Sequence, residues 1–328
     1  MTSPAPVDAS SKMFSPRVMA LANNIGEVIK GKPETIRLVV TCLLAEGHLL
    51  IEDVPGVGKT TVARALAASI HGSWGRIQFT PDLLPSDVTG VTVFNQGTRQ
   101  FEFHPGSVFA NVVVADEINR ASPKTQSALL EVMEERQVTV DGVARPVPRP
   151  FVVVATQNPI EMDGTYRLPE AQLDRFLMRI SVGYPDAAAE RQVLVNDDGG
   201  RRIRSLQPVV SASDVVHMIE QVATVHVSEP MQDYIVALSA ATRVLPEVRL
   251  GVSPRGSLAL LRAVRALAAA SGRAYAVPED AKALAVHVLA HRIILQPDAE
   301  LRGTTAADVV RRVLDAVPVP QQPQPSPA

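Results

Sequence analysis

EDVPGVGKT, residues 52 to 60, decides the reading of this chain, together with VVVADEINR at residues 112 to 120. The first stretch puts a glycine-rich turn and Gly58-Lys59-Thr60 directly after the apolar run 48 to 51, where a buried strand would hand over to a helix. That is the layout of a phosphate-binding loop. Successive backbone N–H groups converge on phosphate oxygens, the following helix offers its positive N-terminal end, and the lysine supplies a point charge. Small residues let the backbone come close. The pattern GxxxxGK[ST] is met except at its first position, where Asp53 stands in place of glycine.

The second stretch supplies the other half of such a site. Four apolar residues run into Asp116-Glu117, as a second nucleotide-site strand requires. The mechanism of phosphoryl transfer then assigns Lys59 to the β- and γ-phosphates, the Thr60 hydroxyl and, through water, Asp116 to Mg²⁺, and Glu117 to the attacking water as base. Pro55, Gly56, Val57, Gly58, Lys59, Thr60 and Thr61 are the candidate nucleotide-binding residues, with ATP and Mg²⁺ as the expected cofactors. Asn158 ends the next apolar strand. In a parallel sheet it shares an edge with the phosphate loop, where its amide could hold the attacking water or the γ-phosphate. An Asn before Pro159 also suits a plain turn. Arg175, in LDRF, and Arg255, in SPRGS at the start of an amphipathic helix, are candidate cations for the γ-phosphate, although a single arginine is more often a solvated surface group.

The 328 residues predict two domains, or a large and a small one. Hydrophobic residues make up 46% but aromatic ones only 4%, so the cores are built from Val, Leu, Ile and Ala. A net charge of −2 gives no electrostatic support to nucleic-acid binding, and none is expected. One cysteine, Cys42, excludes an intramolecular disulfide framework and a multi-cysteine zinc site, and reads as core. The N-terminal segment lacks the apolar core of a secretory signal, and no transmembrane run occurs, so a cytoplasmic protein is expected.

Residues 1 to 12, rich in Pro, Ser and Ala, are expected to be disordered. Helices are predicted over 14 to 29 and 34 to 45, and the break between them is an edge of an adenine pocket or a plain helix connection. Strand 48 to 52, the helix 60 to 70 and strand 76 to 79 follow. An insertion over 81 to 110 contains a hairpin turning near Gly97, and a second hairpin over 137 to 148 turns at Asp141-Gly142. Strands 112 to 116, 151 to 156 and 177 to 182, with helices at 123 to 135 and 169 to 176, complete a βα-alternating domain spanning 13 to 185. Beyond it the periodicity predicts only helices, at 186 to 195, 212 to 224, 229 to 244, 254 to 271, 278 to 295 and 304 to 316, as an all-helical domain over 186 to 317. Residues 197 to 204, with Arg201, Arg202 and Arg204, read as a solvated loop, and the Pro/Gln-rich 318 to 328 as a disordered tail. His287 and His291 lie four apart on a predicted helix. With no third ligand indicated, a packing role is the better reading.

ADEINRASPKTQSALLEVMEERQVTVDG, then ATQNP and GTYRLPEAQLDRF, resembles the MoxR family of AAA+ ATPases over most of the chain. The resemblance implies a five-stranded parallel sheet in the order 5-1-4-3-2 followed by a helical lid. It assigns Lys59 and Thr60 to Walker A, Asp116 and Glu117 to Walker B, Asn158 to sensor 1 and Arg255 to sensor 2. Arg175 matches the arginine finger that reaches a neighbouring subunit's site. The insertion and the 137 to 148 hairpin would correspond to the helix-2 insert and pre-sensor hairpin, facing the pore of a homo-oligomeric, hexameric ring. Arg167 stands where a proline is more usual. The resemblance also implies chaperone-like remodelling, maturation or metal insertion on a protein client, with a von Willebrand factor A domain partner. Two other classes stay open: a nucleotide-gated regulatory or scaffold protein, and a nucleic-acid motor of restriction-translocase type.

Overall fold

The computed structural model describes residues 9–159, 166, 168–195 and 201–320. The expectations for residues 1 to 8, Arg167, 197 to 200 and 321 to 328 lie outside these. The chain forms two units, dividing between Glu220 and Gln221.

The first unit opens with α1 (Ala9–Val28) and α2 (Pro33–Leu44). Helix α1 begins earlier than its apolar periodicity, because that periodicity marks only the packed face, while Ala9, Lys12 and Met13 are good helix formers. Residues 9 to 12 are therefore helical, not disordered. Cys42 is buried on α2, as the sequence suggested. β1 (Leu49–Glu52) leads through the glycine-rich loop into α3 (Lys59–Ser69), then β2 (Ile70–His71) and β3 (Trp74–Gln78). The insertion holds α4 (Pro85–Thr89) and the hairpin β4 (Gly90–Asn95) and β5 (Gln100–Pro105). Next come β6 (Val112–Asp116), α5 (Pro123–Glu135), the hairpin β7 (Gln137–Val140) and β8 (Val143–Pro146), and β9 (Val152–Gln157). Ser122 caps α5, its side chain accepting from the Thr125 N–H, with Pro123 at the first helical position. Helix α6 is only Glu170–Leu173, because tight i to i−3 bonds from Arg175 and Phe176 then turn the chain toward β10 (Met178–Ile180).

β10, β1, β9, β6 and β3 form one parallel sheet in that spatial order, which in chain order of these strands is 5-1-4-3-2. β6 and the first five residues of β9 are buried throughout, as strands covered on both faces must be. β3 is an edge strand and alternates, with Ile77 in the core and Arg76 and Gln78 outside it. The core against α5 includes Leu50, Val113, Ala115, Leu129, Val153 and Phe176.

The α/β unit extends past residue 185. α7 (Ala187–Val195), α8 (Arg201–Ser205), the short β11 (Val210–Ser211) and the start of α9 (Ala212–Ala223) belong to it. β11 pairs in parallel with β2, Asn24 donates to the Gln207 carbonyl at 3.2 Å, and Arg17 meets Asp214 at 2.6 Å. Residues 201 to 204, expected as a loop, are helical.

Among the described residues the second unit is helical apart from one two-stranded ladder and an isolated bridge between His226 and Tyr275. It contains α10 (Glu229–Arg243), β12 (Val248–Leu250), α11 (Pro254–Ala270), α12 (Pro278–Leu289), β13 (Ile294–Leu295), α13 (Pro297–Leu301) and α14 (Ala306–Ala316). The long helix expected to 295 stops at Leu289, since the β-branched pair Ile293-Ile294 runs extended and β13 pairs with β12. Buried Ala259, Ala263 and Ala266 let α11 pack closely on α12. Among the described residues no helix is long and apolar enough to cross a membrane.

Candidate functional site

The parallel order brings the C-terminal ends of β1, β9 and β6 side by side, which is where an open α/β sheet presents its ligand edge. β1 delivers the glycine-rich loop to that edge. Gly56 and Gly58 have φ of 83° and 88°, a region that L side chains rarely adopt. A side chain at Gly56 would meet nothing within 4 Å, so the backbone conformation requires glycine there, and open space remains above the loop. Val57 is buried and anchors the turn, while Pro55 and Gly56 are exposed. Thr61 lies in the first turn of α3. The Lys59 ammonium folds back on the loop, donating to the carbonyl of Asp53 and, at 3.1 Å, to that of Val54.

Asp53, the residue that breaks the glycine pattern, is not among the positive-φ residues. Its Oδ2 accepts from the Ser181 hydroxyl at 2.7 Å and from the Val182 and Gly183 N–H groups at 2.8 and 2.6 Å, and its Oδ1 from the Val54 N–H at 2.8 Å. Burial pushes this carboxyl up, but the bonds from Gly183, Ser181, Val54 and Val182 together outweigh it and hold the group below the usual carboxylate range.

The two halves of the motif meet. The Thr60 hydroxyl donates to Asp116 Oδ1 at 2.8 Å across 56 residues of chain. Asp116 is 2% exposed, and its Oδ2 accepts from Arg76 Nε at 2.8 Å. Glu117 sits in the left-handed region, at φ 56° and ψ 49°, a costly conformation for a non-glycine residue. It is held there by the Thr156 hydroxyl, which accepts its N–H at 3.0 Å. The Glu117 carboxylate accepts from Gln78 Nε2 and from Arg120, each at 3.0 Å.

Asn158 follows β9, the strand between β1 and β6, and is 6% exposed; its carbonyl accepts from Asn119 Nδ2 at 3.2 Å. Arg175 keeps a different company. Its guanidinium lies 3.1 Å from Glu134 and lines a cleft with Glu131, Glu135, Gln137 and Gln172. Arg255 belongs to the second unit, exposed in the first turn of α11 beside the cap Ser253. His291 is buried beside Arg292 in a 3₁₀ turn, outside the helix that carries His287, and the described residues contain no cluster of His, Cys, Asp and Glu able to hold a metal by itself.

Arg76, Gln78 and Thr156 escaped the sequence reading. The signal was the RIQ alternation of 76 to 78, two polar residues on one face of a strand, whose register sets Gln78 opposite Asp116. Together, the loop's open concavity, a lysine and a hydroxyl–carboxylate pair of hard oxygens are what a nucleotide triphosphate with magnesium requires; Mg²⁺ binds through few protein oxygens and keeps several waters.

The chain resembles known proteins over most of its length. The profile of the ATPase family associated with various cellular activities (AAA) matches residues 48–178, and that of the AAA lid domain matches residues 240–313. The chain is 50% identical over 299 residues to the protein YeaC of Bacillus subtilis, covering 91% of this chain and 93% of that one. It is 42% identical over 306 residues to the chaperone MoxR1 of Mycobacterium tuberculosis, covering 90% and 81% respectively. A crystal structure from Cytophaga hutchinsonii, of a protein described provisionally as an ATPase, superposes with a TM-score of 0.87 at 37% identity, covering 95% of this chain and 97% of that one.

Proposed function

Since the chain belongs to the MoxR family of AAA+ ATPases, we propose that it hydrolyses ATP within a homo-oligomeric ring, most simply a hexamer, to remodel or mature a protein client. The observation that carries the reading is the 2.8 Å bond between Thr60 and Asp116, which joins the phosphate loop to the strand bearing Glu117. Lys59 exchanges its loop carbonyls for phosphate oxygens. Thr60 and Asp116 would hold magnesium, which supplies charge neutralisation to the phosphates. Glu117 accepts the proton of the attacking water, and its fixed left-handed backbone keeps the carboxylate at the strand end. Asn158 positions that water or the γ-phosphate. Arg175 acts on the site of the neighbouring subunit, and Arg255 carries the lid's response to nucleotide.

The relative named as a chaperone supports a protein client. We assign the exposed hairpins β4–β5 and β7–β8 to client contact, metal insertion as one form of the maturation, and a von Willebrand factor A domain protein as the adaptor, in the cytoplasm. The test is a pair of variants. Lys59→Ala loses nucleotide binding, whereas Glu117→Gln retains it and loses turnover by about 10²- to 10⁴-fold, the usual worth of a general base. Undiminished hydrolysis by Glu117→Gln would remove the base assignment. A wild-type ring that releases a trapped client equally well with a non-hydrolysable analogue would replace the remodeller by a nucleotide-gated scaffold.

A further inference from the structure

Glu117, the proposed base, has a backbone conformation that a non-glycine residue keeps only under constraint, at φ 56° and ψ 49°. Released, such a residue relaxes to the right-handed or extended region, and its Cβ swings with it. Two buried side chains from different elements oppose that movement. The residue-by-residue pairing of β6 with β9 runs from Val112 opposite Val152 to Ala115 opposite Ala155. Immediately beyond it a side chain continues the contact, the Thr156 hydroxyl accepting the Glu117 N–H at 3.0 Å. Thr156 is 2% exposed, and its oxygen lies 3.5 Å from Asp116 Oδ1. The carboxylate draws the hydroxyl hydrogen and leaves a lone pair for the N–H. On the C-terminal side of Glu117 in the chain, the second side chain is Gln126 of α5, fully buried. Its Nε2 faces the carbonyls of Ile118, Ala121 and Tyr166, each at 3.1 Å. Only the NH₂ end of an amide can donate to such a set of carbonyls, so Gln126 fastens the turn that follows Glu117.

We propose that Thr156 and Gln126 are positioning residues for hydrolysis: together they hold Glu117 in its left-handed conformation, and so hold its carboxylate at the end of β6. The proposal rests on the reading of Glu117 as the base. Each side chain acts through the main chain at or just after Glu117. A polar residue buried for the fold alone would change the melting midpoint and leave each folded molecule as active as before. A positioning residue lowers kcat in molecules that are folded and still bind ATP.

The experiment uses the full-length protein at saturating Mg²⁺, below the melting midpoint of every variant, and measures kcat for ATP hydrolysis and affinity for a fluorescent ATP analogue. Thr156→Val keeps the β-branched shape that suits a strand and removes the hydroxyl. It should lower kcat about 10- to 100-fold, the worth of an ångström-scale misplacement of a reacting group, with affinity within about twofold of wild type. Thr156→Ser restores the hydroxyl and should recover most of kcat. Gln126→Met, of similar length and without donors, should lower kcat about 10-fold and retain binding. In a Glu117→Gln background no base is left to position, and either change should alter the residual rate by less than about threefold. Unchanged kcat in Thr156→Val or Gln126→Met, or a serine variant no better than valine, overturns the proposal. So does a loss that persists undiminished in Glu117→Gln, or a loss of ATP binding in proportion to kcat. If Thr156→Val does not fold, the comparison of Thr156→Ala with Thr156→Ser decides the same question. Wild-type turnover by Glu117→Gln alone is a different failure, since it removes the base itself and the positioning role with it.

Discussion

Replacing Asp53 by glycine restores the consensus phosphate loop and should nonetheless weaken the protein. The carboxylate holds Ser181, Val182 and Gly183 through three bonds of 2.6 to 2.8 Å to a single oxygen. A hydrogen bond to a charged group contributes about 1.5–3 kcal/mol, and partial exposure of Asp53 reduces this to about 1 kcal/mol each. Asp53→Gly should therefore cost about 3 kcal/mol, with a further small loss from added backbone freedom in the unfolded chain. For a unit of this size that is a fall of about 6–12 °C in the melting midpoint, measured by scanning calorimetry without nucleotide. Asp53→Asn retains an acceptor but not the charge and should lose about half as much. The pH dependence has a fixed sign: a carboxyl whose folded pKa lies below the ordinary aspartate value of 3.8 contributes its full stability above that value. The contribution is lost as the pH falls from there through the folded pKa. The gap between wild type and Asp53→Gly should thus be flat from about pH 5.5 to 8 and close only in strong acid. A glycine variant melting within about 2 °C of wild type at neutral pH would refute the strut.

Arg175→Ala should bind nucleotide nearly as well as wild type and hydrolyse it about 10³-fold more slowly, if the guanidinium serves a neighbour's γ-phosphate. Mixing it with Glu117→Gln subunits should restore turnover at interfaces that combine an intact base with an intact arginine; no recovery would refute action in trans. His48 is buried, with Nδ1 accepting the Val153 N–H and Nε2 placed to donate to the Met133 carbonyl, both at 3.0 Å. His48→Phe keeps a ring against Phe151 but orphans both backbone groups, and should cost about 2–4 kcal/mol in urea titrations; unchanged stability would show that neither bond counts.

What could be read from sequence was whatever is local to one strand and the turn after it. The runs at 49–52, 112–116 and 152–157 are apolar because helices cover both faces, and their C-terminal ends share one edge of the sheet, so that the glycine-rich loop, Asp116, Glu117 and Asn158 lie together there follows from position alone. The edge strand was placed late because WGRIQ is half polar, which is how an edge strand reads. Contacts across the sheet were not legible: nothing near Asp116 in the chain announces Arg76, forty residues upstream, until β3 is known to pair with β6. The domain limit escaped for the same reason, since the helices predicted at 186 to 195 and 212 to 224 read alike whichever unit they join, and contacts distant in sequence, such as the β2–β11 ladder, the Asn24–Gln207 bond and the Arg17–Asp214 pair, tie this segment to the first unit. Asp53 joins the two kinds of information. Read locally it is a missing glycine, yet its backbone does not need the positive φ that Gly56 and Gly58 supply, so the position is free to carry a side chain. That side chain is spent on partners 128 to 130 residues away, at the end of the sheet's last strand. The departure from the pattern is thus a second attachment of the loop, fastening the carbonyls that hold Lys59 to the segment through which the chain leaves the sheet.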